Sequence, residues 1–111
     1  MSEIQEITDA LVEFRNKRDW EKFHNAKDLS IAISIEASEL MEEFLWKSPQ
    51  QADQQKIREE LADIFIYAFL IAEKYKFDIK DIIYNKIQLN DKKYPVKKSK
   101  GNAKKYNKLD N

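Results

Sequence analysis

Apolar residues recur along most of this chain at the spacing of a helix and nowhere at the spacing of a strand. Ile4, Ile7, Leu11 and Phe14 stand three, four and three apart, which places them on one face of an amphipathic helix. The stretch Asp19 to Asn25, DWEKFHN, breaks that period and reads as a connecting loop. From about Asp28 to Trp46 the pattern predicts a second helix that is apolar almost all round. Ser48 and Pro49 suit the N-cap and first position of the next helical segment, with Gln51 placed to complete a capping box. A third helix is predicted from Lys56 to about Tyr75. Asp78 can cap a fourth, whose apolar face is Ile79, Ile82, Ile83 and Ile87. The expected fold is all-α, a compact helical bundle of about four main helices.

The last residues depart from this pattern. PVKKSKGNAKKYNKLDN, residues 95–111, holds six Lys and one Asp, and the only Gly of the chain. It carries +5, and since the whole chain is neutral the preceding 94 residues carry −5. With almost no apolar residues and no period it is expected to be an extended or mobile arm. The domain organisation expected is therefore one helical domain over 1–94 and a Lys-rich arm over 95–111.

Composition narrows the chemistry. The chain has 111 residues, no Cys and one His. That excludes disulfides, thiolate catalysis, Cys-ligated zinc, iron–sulfur clusters and multi-histidine metal sites. One Gly cannot build a glycine-rich phosphate loop. The acidic, amphipathic start MSEIQEITDA does not resemble a signal peptide. The longest charge-free run of the apolar body, Ile64 to Ala72, is nine residues, where a membrane span needs roughly 20. A cytoplasmic protein is expected.

Four acids stand where apolar residues would be expected. A helix turns about 100° per residue, so with Glu36 at zero Glu39 lies near −60° and Glu43 near −20°. Ile33 and Leu40 flank this stripe on one side, Ile35 and Trp46 on the other. On the third helix Glu60 and Asp63 share a face with Ile64, Tyr67 and Ile71. Acids on helices ordinarily face water, which suits Glu42 and Glu59. It suits Glu36, Glu39, Glu60 and Asp63 less well. Residues 36–63 hold eight acids against three bases, so four buried carboxylates would lack side-chain partners and titrate upward. A hard divalent cation, Mg²⁺ with Mn²⁺ as a substitute, is the counter-charge such a site calls for.

Lys86, Asn90 and Lys93 recur at i, i+4 and i+7 on the fourth helix, with Tyr94 one step further. Their stems could simply lie along apolar surface with the polar ends in water; alternatively they point toward phosphate or sugar oxygens at the acidic pocket. Trp20, Trp46 and Tyr67 stand near the same features, where core packing and base stacking are both open. His24, in the loop, reads as a surface or capping residue.

Four segments together resemble a known family: RDWEKFH at 18–24, EASELMEEFLW at 36–46, EELADIFIY at 59–67 and KIQLNDKKYP at 86–95. In order, spacing and context they resemble the MazG-like all-α nucleotide pyrophosphohydrolases, nearest the dCTP pyrophosphatase branch. The resemblance implies Glu36, Glu39, Glu60 and Asp63 as Mg²⁺ ligands, and Trp20, Trp46 and Tyr67 around the base and sugar. It implies nucleotide contacts for Lys86, Asn90 and Tyr94, with Lys93 where the family often has a basic residue. Many members carry a second acid just before the first motif; here that position is Ile35, as in the dCTP-type branch. The implied fold assembles as a dimer or dimer of dimers, which fits a third helix apolar on every side over nine residues.

The expected activity is Mg²⁺-dependent hydrolysis of a nucleoside triphosphate, dCTP or a related pyrimidine deoxynucleotide first, to the monophosphate and pyrophosphate. Glu39 is expected to orient or deprotonate the water. The competing expectation is a non-enzymatic helical module whose Lys-rich tail touches nucleic acid. The acidic body and the absence of Arg from the tail weigh against a nucleic-acid partner. A same-fold enzyme that cleaves a different pyrophosphate bond is a third.

Overall fold

The computed structural model describes residues 1–109, all in helices and the turns between them, with no strand among the described residues. The α-helices are α1 (Glu3–Lys17), α2 (Ala26–Glu42), α3 (Gln54–Lys74), α4 (Ile79–Lys93) and the single-turn α5 (Val96–Ser99). The chain divides into two compact units, Met1–Phe77 and the residues from Asp78 on.

In the first unit each long helix starts on a polar cap. The Ser2 hydroxyl accepts from the Gln5 N–H at 3.1 Å, Asn25 Oδ1 from the Asp28 N–H at 2.8 Å, and Asp53 Oδ1 from the Gln55 N–H at 2.9 Å. Each satisfies an N–H that the first helical turn leaves over. α1 and α3 end alike. Asp19 (φ 54°) and Lys76 (φ 57°) are left-handed, and the next N–H bonds back across the last turn, Trp20 to Arg15 O at 3.1 Å and Phe77 to Ala72 O at 2.9 Å. This is the Schellman arrangement, here built without glycine.

α2 and α3 form the main pairing, and α1 packs on α3. Leu29 and Leu70 are buried in it with Ala52 and Ala72. Arg15 is buried too, and its guanidinium lies 3.1 Å from Glu73. The Glu73 carboxyl is held below its ordinary range first by the Lys76 ammonium and then by Arg15, against the opposing effect of burial. Lys74 reaches Glu21 at 3.5 Å and ties down the segment after α1. That segment, expected to be a loop, holds a 3-10 turn over Glu21–Phe23.

Two boundaries differ from expectation. α2 stops at Glu42, four residues short of Trp46. The chain continues in turns, and Trp46 itself is left-handed at φ 62°, which ends helical phase. The capping box at Ser48 does form, its N–H donating to Gln51 Oε1 at 2.8 Å, but on the short 3-10 turn Pro49–Gln51. Ala52 then runs extended, so α3 needs its own cap and takes it from Asp53.

In the second unit Asp78 caps α4 as the sequence predicts, Oδ1 accepting from the Asp81 N–H at 2.9 Å. Ile82, Ile83, Tyr84, Ile87 and Leu89 of α4 are exposed. The Lys-rich stretch is not simply extended. It holds α5 and a 3-10 turn over Tyr106–Lys108, because Pro95 sets the backbone for a first turn and Gly101 (φ 85°) allows the reversal after it. Asp110 and Asn111 of the expected arm lie outside the described residues. No described helix is long and apolar enough to cross a membrane.

Candidate active site

The α2–α3 pairing brings two acidic turns face to face. Glu36 on α2 and Glu60 and Asp63 on α3 each offer a carboxylate oxygen, and these oxygens lie within 4.8 Å of one another. Glu36 and Glu39 share a face of α2 because they stand one turn apart; Glu60 and Asp63 do the same on α3. Glu39 lies outside the close trio, yet its carboxylate acts on both Glu36 and Glu60.

Electrostatics at this cluster are unbalanced. With every carboxylate ionised, Glu36 Oε2 and Glu60 Oε2 are buried without a hydrogen-bond partner. The ion pairs among the described residues link Arg15, Lys17, Lys22, Lys74 and Lys76 to other acids, and none reaches Glu36, Glu39, Glu60 or Asp63. The cluster answers by holding a proton. The Glu36 carboxyl is pushed up to about 8, first by the hydrogen bond it can share with Glu60, then by burial, then by Glu39 and Asp63. Glu60 gains acidity from accepting that hydrogen bond, but burial and the charges of Glu39 and Asp63 outweigh it and its pKa also rises. Tyr67, one turn beyond Asp63, has its phenol raised by burial and then by Glu36, Asp63 and Glu39, so it borders the cluster.

All donors here are hard oxygens, two of them orphaned and buried, with no base beside them. That set fits a hard divalent cation. A shallow hollow of about 330 Å³ along α1, lined by Ala10, Glu13, Phe14, Lys17 and Arg18, shares no residue with it.

The remaining expected site residues fall in three places. Trp20 joins an aromatic group at the end of α1, edge-on to Phe14 at 5.8 Å and to His24 at 6.4 Å. Trp46 is 99% exposed, so its expected place on the α2 wheel does not hold; the helix that would have carried it there has ended. Lys86, Asn90, Lys93 and Tyr94 belong to the second unit, the first three exposed on one face of α4 and Tyr94 half-buried at its end. His24, expected to be a surface or capping residue, is the C-cap of the Glu21–Phe23 turn, its N–H donating to Glu21 O at 2.9 Å. It is half-buried, its Nδ1 has no partner, and burial, then the charges of Arg15 and Lys74, lower its imidazole pKa below the ordinary value. The signal was its place in RDWEKFH, four residues from Trp20 and inside a segment without helical period.

Residues 31–109, which include both acidic turns, match the profile of the MazG-like family. The chain belongs to the MazG-like family. Among characterised members it is 34% identical to dCTP pyrophosphatase 1 of Rattus norvegicus over 96% of its own length and 67% of that protein. It is 30% identical to dCTP pyrophosphatase 1 of Homo sapiens over the same shares. Among solved structures it resembles a pyrophosphatase from Archaeoglobus fulgidus with a TM-score of 0.79 and 32% identity, covering 86% of this chain and 94% of that one. This MazG-like protein thus shares both sequence and fold with pyrophosphatases.

Proposed function

We propose that this MazG-like protein hydrolyses a pyrimidine deoxynucleoside triphosphate, dCTP or a close relative, to the monophosphate and pyrophosphate in a Mg²⁺-dependent reaction. Its family and its relatives make it a nucleotide pyrophosphohydrolase; the base and the cation are the inference. The observation that carries it is the convergence of Glu36, Glu60 and Asp63 with two orphaned oxygens. The dCTP preference is supported by the rat and human relatives named for that activity and by Trp46, whose exposed indole is free to stack on a base.

Glu36, Glu60 and Asp63, with Glu39 beside them, would hold the cation. Bound there, Mg²⁺ would supply Lewis-acid polarisation of the triphosphate oxygens. The protein's own groups do the rest. Glu39, outside the close trio, orients the attacking water and accepts its proton. The water oxygen forms a bond to the α-phosphorus while the bond from that phosphorus to the bridging oxygen breaks, and pyrophosphate leaves. Lys86 and Lys93 offset phosphate charge, and Asn90 and Tyr94 bind the sugar and phosphate edges. Trp20 and Tyr67 wall the nucleotide pocket.

The protein acts as a homo-oligomer in this reading. Ile31, Ile35, Leu61 and Phe65 on α2 and α3 are exposed, Phe65 by 60%. Few large apolar side chains are buried, and a second copy is the natural cover for so much apolar surface.

The test is pyrophosphate release from a panel of ribo- and deoxynucleoside triphosphates with Mg²⁺, wild type against Glu39→Ala. Preferential turnover of dCTP, lost in the variant, is expected. Orthophosphate as the product would refute the bond assignment. No turnover by folded protein would refute the enzyme reading in favour of a basic-tailed binding module.

A further inference from the structure

The Lys-rich segment after α4 returns on itself through a series of closed turns. Tyr94 N–H donates to Asn90 O at 2.7 Å and ends α4. Pro95 O then accepts from the Lys98 and Ser99 N–H groups at 2.9 and 3.0 Å, which makes α5. Asn102 locks the end of that turn: its Nδ2 donates to Lys98 O at 3.0 Å, and its Oδ1 accepts from the Lys104 N–H at 3.0 Å. Between them Gly101 supplies the left-handed step at φ 85°. The outcome is that Tyr106 lies against the end of α4. Its ring meets Tyr94 edge to face, centroids 6.4 Å apart at 89°, and the Lys93 ammonium lies 5.1 Å from its centroid.

From this we infer that Tyr106 is a positioning residue that holds the Lys93 ammonium for a nucleotide phosphate. The inference rests on Lys93 being a phosphate contact, as proposed above. Lysine's flexible stem carries much rotamer freedom, which a phosphate must otherwise freeze when it binds. Among the described residues no carboxylate pairs with Lys93. A carboxylate would also neutralise the ammonium and compete with the phosphate. An aromatic face attracts the cation without cancelling its charge. Tyr94 braces the ring from its edge, so the Tyr106 contact ties two neighbouring nucleotide contacts into one arrangement.

Steady-state hydrolysis of dCTP with Mg²⁺ tests this in the full chain. Tyr106→Ala and Tyr106→Leu should raise KM about two- to five-fold, the worth of one exposed cation–ring contact, with kcat unchanged. Tyr106→Phe keeps the ring face and should behave as wild type. In a Lys93→Met background Tyr106→Ala should add nothing. Gly101→Val is a second route to the same result. A side chain there meets nothing within 4 Å, so the substitution acts only through the left-handed backbone, unhooks the arm and leaves Tyr106 chemically intact. Unchanged KM in Tyr106→Ala overturns the inference, as does equal damage in Tyr106→Phe or an undiminished effect in the Lys93→Met background. Wild type is assayed first: if it turns over no nucleotide, the proposed function fails and this inference with it, whereas active wild type with indifferent Tyr106 variants sinks the inference alone.

Discussion

Loading the acidic cluster with Mg²⁺ should expel a proton, and the structure sets how much. A carboxyl pushed up to about 8 holds its proton in roughly nine of ten molecules at pH 7. The proton is shared across the Glu36–Glu60 pair, so it belongs to the cluster and not to one oxygen. A cation that takes both carboxylates as ligands must displace it. Mg²⁺ binding is therefore expected to release about 0.9 proton at pH 7 and almost none at pH 9.5. Affinity should weaken about ten-fold for each pH unit below 7. Titration calorimetry in two buffers of different ionisation enthalpy reads the released proton directly, and Glu36→Gln should abolish the buffer dependence. The same shift has a stability sign. The folded chain binds more protons than the unfolded one between about 4.5 and about 8, so metal-free stability should fall as pH rises through that window, and Mg²⁺ should remove the loss. Tight Mg²⁺ binding at pH 7 with no buffer dependence would refute the shared-proton account.

Two further outcomes are expected away from the cluster. Glu73→Gln leaves the Arg15 guanidinium, 5% exposed, without its charge partner; the cost should be about 3 kcal/mol, a fall in Tm on the order of 10 °C by calorimetry. Arg15→Met with Glu73→Leu should restore most of it, and a Glu73→Gln variant that melts within about 2 °C of wild type would contradict the burial of that pair. Trp46→Gly removes a left-handed bulky residue with almost no packing to lose. It should stabilise the fold by about 1 kcal/mol in chemical denaturation while weakening dCTP turnover; a loss of stability would mean that the indole is covered in the assembled protein.

The helices were legible because apolar residues at three- and four-residue spacing mean one thing in a chain without strand-like alternation. Ile4–Ile7–Leu11–Phe14 and the Asp78 cap needed nothing further. The acidic cluster was legible for the same reason, since a helical turn between Glu36 and Glu39, and another between Glu60 and Asp63, fix both pairs in phase. Phase also explains the failure at Trp46. α2 has already ended at Glu42, with the N–H groups of Glu43, Phe44 and Leu45 bonding back three residues, before the left-handed Trp46 turns the chain, and a tryptophan is among the last side chains from which a left-handed backbone would be guessed. Likewise Ser48, Pro49 and Gln51 announced a capped helical start correctly, but could not say that Ala52 would run extended and hand the long helix to Asp53. The return of Tyr106 to Lys93 depends on side-chain closures by Asn102 that no periodicity records.

The ion pair between Arg15 and Glu73 joins residues 58 apart in the chain. It cannot form until α3 has folded back along α2, because only then does the far end of α3 stand near the end of α1. The α2–α3 hairpin closes over a much shorter loop and is the larger contact, so it is the favoured nucleus. In the reverse direction α1 is then expected to let go before α2 and α3 part. An excursion that frees α1 leaves Glu36, Glu60 and Asp63 together on the intact hairpin. Slower amide exchange in α2 and α3 than in α1 would mark that order. Within the first unit, the helix pair that gathers the carboxylates is thus expected to outlast α1.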